Sequence, residues 1–357
     1  MSTHTVDSIQ PIIWDSRGCL RLLDQRRLPE EETYLEFTDP REVAAAITDL
    51  VVRGAPAIGI TAAYAVVLSA LRHSEHPQPL VQIEQDMEVL RAARPTAVNL
   101  EWALARMDQL IHSCDPSSMG RLAGDLLQAA MEIHQHDIAA NHAMGELGAS
   151  LIEPGSAVMT HCNAGALATG GYGTALGVIR SAFGQGRVRQ VYAGETRPWL
   201  QGSRLTAWEL CREQIPVSLV TEGAVAPLFR EGLAEWLITG ADRIAANGDV
   251  ANKIGTYSAA LHARHHGARV MVVAPLSTID FSADSGEDIP IEQRSPDEIL
   301  TAGGQPVAAA GAGAWNPVFD VTPAELVDVI VCETGIARAP FRESLSALAG
   351  RNTASGG

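Results

Sequence analysis

The sequence predicts an α/β protein in two parts: a small β-meander and helical domain over 1–150, then a Rossmann-like, doubly wound, mostly parallel sheet over 151–350, with 351–357 a tail. Three observations predict it. Short β-like runs at the start are broken by Asp-Ser-Arg-Gly and Arg-Leu-Pro. A long stretch with apolar residues at helical spacing follows. After Glu153, Pro154 and Gly155 the texture changes to apolar β runs alternating with helical stretches, the pattern of parallel strands covered on both faces.

Taken in order, Ile9 to Trp14, Cys19 to Leu23 and Thr33 to Phe37 read as an antiparallel meander forming a flap or an edge. From Pro40, the apolar positions Val43, Ala46, Ile47, Leu50 and Val51 recur at helical spacing until Arg53, Gly54, Ala55 and Pro56 stop the run. Helical segments follow at 57–73, 80–93, 98–113, 119–137 and 138–151, punctuated by His-Pro-Gln-Pro, Arg-Pro-Thr and Cys-Asp-Pro-Ser-Ser. Six β runs come next: Ala157 to Thr160, Gln190 to Ala193, Val217 to Val220, Trp236 to Thr239, Val270 to Ala274 and Val329 to Val331. Right-handed crossovers bring their carboxyl ends to one edge. Nearly every run is followed by polar or reactive residues, as in His-Cys-Asn-Ala-Gly, Gly-Glu-Thr-Arg-Pro and Gly-Ala-Asp-Arg, which is what a crevice at that edge requires.

The 357 residues suffice for two domains, and the hydrophobic share of 46% fits a globular chain. A formal charge of −16 argues against nucleic acid or an anionic membrane surface as partner. Five scattered cysteines, Cys19, Cys114, Cys162, Cys211 and Cys332, form no CxxC pair. The opening MSTHTVDS has neither the basic start nor the apolar core of a leader, and no apolar run approaches about 20 residues, the span of a membrane helix. A reduced, cytoplasmic protein is expected.

The densest group of candidates lies in Gly240 to Tyr257, GADRIAANGDVANKIGTY, directly after a β run. Asp242 stands at a strand end, where it is either chemistry or the cap of the next helix; Asn247 and Gly248 keep that helix short and weaken the cap reading. Arg243, Ile244, Ala245 and Ala246 occupy positions a calcium loop needs for oxygen ligands. Cys162 is the one cysteine at an expected strand end; it is either a buried thiol or a reactive group, whose acidity a following helix N-terminus would raise. Arg53, Arg94, Arg197, Gln201, Asn252 and Lys253, on expected loops, are candidates for holding a small phosphate. The glycine-rich 171–177 turn, with Glu195 ending the next strand, raises a dinucleotide reading, but its spacing is one residue too long. His262, His265 and His266 lack a companion ligand pattern and read as surface, so no metal site is expected.

Through RGAPAIG at 53–59, RPTAVNL at 94–100, THCNAGALAT at 160–169, ETRPWLQGSRLTAWEL at 195–210, GADRIAANGDVANKIGTY at 240–257 and NPVFDVTP at 316–323, the chain resembles the methylthioribose-1-phosphate isomerases of methionine salvage. These are relatives of the α, β and δ regulatory subunits of the translation factor eIF2B. The resemblance implies aldose-to-ketose isomerisation of a pentose 1-phosphate without cofactor. It also implies Cys162 and Asp242 as the catalytic pair, with Arg53, Gly54, Ala55, Arg94, Gln201, Asn252 and Lys253 around the substrate and its phosphate, in a homodimer. One segment departs: Thr221 to Ala226 reads Thr-Glu-Gly-Ala-Val-Ala where the family carries Asp-Ser or Asp-Asn followed by Met-Ala-Ala. A relative acting on 5-deoxyribose 1-phosphate or ribose 1,5-bisphosphate stays open there. A non-catalytic regulatory subunit and a nicotinamide oxidoreductase are the alternatives from other classes.

Overall fold

The computed structural model describes residues 9–95, 97–113, 120–302 and 304–354. The opening MSTHTVDS, Thr96 of the RPTAVNL motif, Cys114 and tail residues 355–357 lie outside the described residues. The chain divides into two compact units, one of Met1–Asn141 with Gly165–Gly173, the other of His142–Ala164 with Thr174–Gly357.

In the first unit β1 (Ile12–Asp15), β2 (Cys19–Leu23) and β3 (Tyr34–Phe37) form an antiparallel sheet in that order. Ile12, Leu20, Leu22 and Phe37 are buried in the same core as the helices, so the meander is packed down and is not a free flap. The first helix, α1 (Pro40–Thr48), starts where Asp39 accepts the Arg41 N–H at 2.9 Å, with Pro40 in the first turn. Next, α2 (Ala55–Arg72) is the one helix among the described residues long and apolar enough to cross a membrane. Its apolar residues have a simpler cause, since Ala57 to Ala70 are buried in the core shared with α1, α3 (Pro79–Ala93) and α4 (Val98–Ser113). Gly54 caps α2 at φ 94°, and a Cβ there would come within 2.5 Å of the Ala168 carbonyl oxygen. The expected helices at 119–137 and 138–151 are one 28-residue helix, α5 (Leu122–Ala149), because no proline or terminating glycine interrupts the run.

The second unit runs β4 (Ser156–Thr160), α6 (Ala175–Gly184), β5 (Val188–Gly194), α7 (Ala207–Arg212), β6 (Val217–Val220), α8 (Val225–Arg230) and β7 (Trp236–Thr239). The chain continues through the hairpin β8 (Arg243–Ala245) and β9 (Val250–Lys253), then α9 (Thr256–His265), β10 (Arg269–Val273), β11 (Ile279–Asp280) and α10 (Asp297–Leu300). It ends with β12 (Thr301–Ala302), β13 (Gln305–Pro306), β14 (Phe319–Thr322), β15 (Val329–Cys332), β16 (Gly335–Ala337) and α11 (Phe341–Ala354).

The large sheet has the order β16-β15-β10-β7-β4-β5-β6. All neighbours are parallel except β16, which pairs antiparallel with β15. The unit's first strand, β4, is central: the chain winds outward to β6, returns to β7 on the other side of β4, and winds outward again to β15. That is a doubly wound sheet whose topological switch point lies between β4 and β7. Both strands are buried along their whole length, which explains their uninterrupted apolar sequence. A second sheet, β11-β8-β9-β14, is not foreseen by the sequence reading; its strands are short and carry Arg243, Asn252 and Lys253.

Candidate active site

Cys162 follows β4 and Asp242 follows β7, the two strands that flank the switch point and pair through Thr160 and Ile238. The loops they stand on touch: a Cβ on Gly240 would lie 2.7 Å from the Cβ of Ala164. The Asp242 N–H donates to the Ala251 carbonyl at 2.9 Å, and the chain enters β8 at once. No helix follows Asp242, which removes the cap reading. After Cys162 the chain makes a short 3-10 turn at Ala166–Ala168, and the next α-helix starts at Ala175.

The half-buried Cys162 is held through its own peptide groups. Its N–H donates to Thr196 Oγ1 at 2.9 Å, and Thr206 Oγ1 donates to its carbonyl at 2.6 Å. Beside it, the buried His161 has Nε2 at 2.8 Å from the Ile254 carbonyl, next to Lys253. Because that carbonyl can only accept, Nε2 carries the proton. Burial pushes the His161 imidazole below its ordinary pKa, against the Ile254 bond and the Glu222 charge, so it is neutral. Asn163 donates to Thr206 Oγ1 at 3.2 Å and to Glu209 at 2.8 Å; Glu209 in turn is ion-paired at 2.7 Å to Arg180, and both are fully enclosed.

Asn252 and Lys253 close β9 and are nearly buried. The Asn252 amide donates to Thr256 Oγ1 at 3.0 Å, and Lys253 Nζ lies 4.9 Å from the centre of the Phe319 ring. Across the β9–β14 pairing stands Asp320, whose carboxylate accepts the Gly255 N–H at 2.7 Å and the Tyr257 N–H at 3.1 Å. Burial raises the Asp320 pKa to about 6 in spite of those bonds. Gln201 is buried, and its Oε1 has no hydrogen-bond partner among the described residues. At the ends of β5 and β6, Glu222 accepts the Thr196 N–H at 2.7 Å. The Glu195 pKa is raised by burial and by the neighbouring Glu222 charge.

Cys162, Asp242, Gln201, Asn252 and Lys253 thus belong to the second unit. Arg53, Gly54, Ala55 and Arg94 belong to the first. Gly54 and Ala55 open α2, the N-cap Gly54 offering no side chain to its N-terminal N–H groups, and Arg94 follows the end of α3. Arg197, a phosphate candidate by sequence, is committed elsewhere: its guanidinium donates to the carbonyls of Pro198, Glu298, Ile299 and Thr301. Asp249 is likewise structural, accepting from Asn247, from the Gly286 N–H and from the Ala324 N–H. His262 turns back onto the Ser258 carbonyl, and among the described residues no cluster of His, Cys, Asp or Glu could hold a metal ion. Sequence reasoning gave no role to Thr196, Thr206 or Asp320; each lies inside a quoted motif, but their tasks are backbone hydrogen bonds, which residue type alone does not reveal.

Residues 51–339 match the model of the Initiation factor 2 subunit family. The methylthioribose-1-phosphate isomerase of Thioalkalivibrio sulfidiphilus is 59% identical over 343 residues, covering 96% of this chain and 97% of that protein. That of Nitrosococcus oceani is 56% identical over 350 residues, covering 96% and 99%. Among solved structures, the 5-methylthioribose 1-phosphate isomerase of Pyrococcus horikoshii OT3 superimposes with a TM-score of 0.91 at 40% identity, over 99% of this chain and 100% of that one. The eIF-2B subunit delta of A. fulgidus follows with a TM-score of 0.85 at 38% identity, over 96% and 100%. With its motifs, its switch-point sheet and these likenesses in agreement, the chain belongs to the Initiation factor 2 subunit family, among the methylthioribose-1-phosphate isomerases.

Proposed function

We propose that the protein is an aldose–ketose isomerase that converts S-methyl-5-thio-α-D-ribose 1-phosphate to S-methyl-5-thio-D-ribulose 1-phosphate, with Cys162 and Asp242 as its catalytic pair. What supports the pair is the occurrence of a thiol and a carboxyl at the ends of the adjacent strands β4 and β7, on loops that touch. Phosphate on C1 prevents spontaneous ring opening. Asp242 therefore acts as the acid that protonates the ring oxygen while the C1–O bond breaks. Cys162, as the thiolate, takes the proton from C2, leaving an enol across C1 and C2; the resulting thiol exchanges with solvent and delivers a proton to C1. The C2 hydroxyl then gives its proton to Asp242 as the carbonyl forms, which restores both groups. No net oxidation occurs.

On this reading Gln201, Asn252 and Lys253 hold the substrate. The buried, unpartnered Gln201 Oε1 supports its share, because a substrate hydroxyl would satisfy an acceptor that is costly to leave bare. The uncapped start of α2 at Gly54 and Ala55 supports a phosphate contact. A cytoplasmic homodimer completes the proposal; the described cysteines Cys19, Cys162, Cys211 and Cys332 are all free thiols, as a reducing compartment favours. Sedimentation or light scattering tests the dimer.

Phosphorus and proton NMR of methylthioribose 1-phosphate in D2O tests the reaction. Wild type should form the ribulose 1-phosphate with deuterium entering C1, and Asp242→Asn and Cys162→Ala should not turn over. Complete retention of the C2 hydrogen at C1 would replace the proton transfer by a hydride shift. Turnover of another pentose 1-phosphate only would assign the altered specificity to Thr221–Ala226.

A further inference from the structure

Two residues beside the candidate thiol hold backbone conformations that side chains rarely adopt. Cys162 has φ 62° and Thr196 has φ 64°. For a non-glycine residue the left-handed region costs about 1–2 kcal/mol, and for a β-branched residue such as threonine it is a true outlier. Strain of this kind persists where its surroundings over-determine it, and it clusters at functional sites.

The surroundings here are specific. The N–H of Cys162 ends on Thr196 Oγ1 at 2.9 Å, while the carbonyl of Cys162 receives Thr206 Oγ1 at 2.6 Å. Both threonines are buried. The Thr196 hydroxyl has no choice of rotamer, since it accepts from Cys162 and donates to the Gly194 carbonyl at 3.0 Å. Its own strained backbone is tied at the N–H to Glu222 Oε1 at 2.7 Å. Thr206 is fixed in turn by the Asn163 amide at 3.2 Å. Both peptide flanks of Cys162 are therefore pinned by hydroxyls, one from the loop after β5 and one from the π-helical 202–206 segment, and φ at Cys162 decides where Sγ points.

We propose that Thr196 and Thr206 are positioning residues that hold Cys162 in its left-handed conformation, with Glu222 bracing Thr196, so that the thiol meets the substrate carbon. This rests on the reading of Cys162 as the group that moves the hydrogen. A displacement of about 1 Å at such a group costs on the order of 100-fold in rate. Neither threonine is among the residues assigned to hold the substrate, so the loss belongs in kcat. Glu222 also gives the departing Thr221–Ala226 segment a task in this chain.

The test compares Thr196→Val and Thr206→Val with Thr196→Ser and Thr206→Ser, and adds Glu222→Ala. The readouts are kcat, KM and the pH-dependent rate at which iodoacetamide alkylates Cys162, followed by peptide mass spectrometry because Cys211 is exposed and would react as well. The valine variants should lose about 10- to 100-fold in kcat with KM changed less than about threefold. Their Cys162 alkylation profile should shift, and serine should recover most of both. Glu222→Ala should show the same pattern more weakly, and it decides the matter if a valine variant does not fold. Wild-type kcat and alkylation in the folded variants, or valine losses that serine does not repair, would overturn the proposal. A Cys162→Ala protein that still turns over would instead remove the underlying reading.

Discussion

His161 Nε2 lies 2.8 Å from the carbonyl oxygen of Ile254, a single hydrogen bond that ties the loop after β4 to the end of β9. It links the residue before Cys162 to the residue after Lys253. His161→Ala leaves that carbonyl unsatisfied and opens a cavity, and it should cost about 2–4 kcal/mol in urea unfolding. The pH dependence has a definite sign. Burial depresses the folded pKa of His161, so its contribution is complete above the ordinary value near 6.5 and is lost as acid forces a proton onto it. Wild type should lose stability relative to His161→Ala on going from pH 7.5 to 5. Parallel curves would sink this assignment.

Asp320 should act in the opposite direction. Its folded pKa is raised to about 6 by burial from the ordinary 3.8, so the folded state binds the extra proton. The stabilisation is present at low pH and disappears as pH rises through about 6. Relative to Asp320→Asn, wild type should gain roughly 1 kcal/mol between pH 7 and 5, read as a difference in urea midpoints. Loss in place of gain would mean that the N–H groups of Gly255 and Tyr257 outweigh burial.

Arg180 supports the same region from behind. Burial disfavours its charge, but Glu209 and Glu213 outweigh that and keep the guanidinium protonated. Arg180→Met strands the Glu209 carboxylate, which is 0% exposed, and should cost about 3–5 kcal/mol. Arg180→Met combined with Glu209→Gln should recover a large part of this, as thermal melts of the single and double variants would show. Equal melting points for the two would refute the network's importance.

The inner parallel strands were legible because burial on both faces writes an apolar run, and the expected Trp236 to Thr239 coincides with β7, which is buried throughout; the expected Val217 to Val220 coincides with β6, an edge strand that is not buried and was marked by its β-branched valines instead. Cys162 and Asp242 were legible for the same reason, as polar residues placed where such runs stop. The β8–β9 hairpin was not, although Asn247-Gly248 is the strongest short hairpin signal, because its strands are only three and four residues long and carry the motif's polar groups. Arg197 beside a proline looks like a loop cation awaiting an anion; its partners are carbonyls of the 298–301 segment, which no local pattern announces. Thr196 was hidden more deeply, since its task depends on a positive φ and on its N–H and hydroxyl, not on being a threonine in a recognisable spacing.

Gly255 separates steric crowding from backbone strain at this site. It has φ 102°, and an added Cβ would meet His161 Cε1 at 2.9 Å. Gly255→Ala therefore meets two penalties: a left-handed alanine, about 1–2 kcal/mol, and a collision with a buried ring that cannot swing away without breaking its bond to Ile254. In a His161→Ala background the collision disappears and only the backbone penalty remains. The double variant should thus be more stable than the two single losses would add up to, by about 1 kcal/mol or more in a double-mutant cycle. Additive losses would mean that the imidazole yields freely, and the tie between the Cys162 loop and β9 would then be looser than the 2.8 Å bond implies.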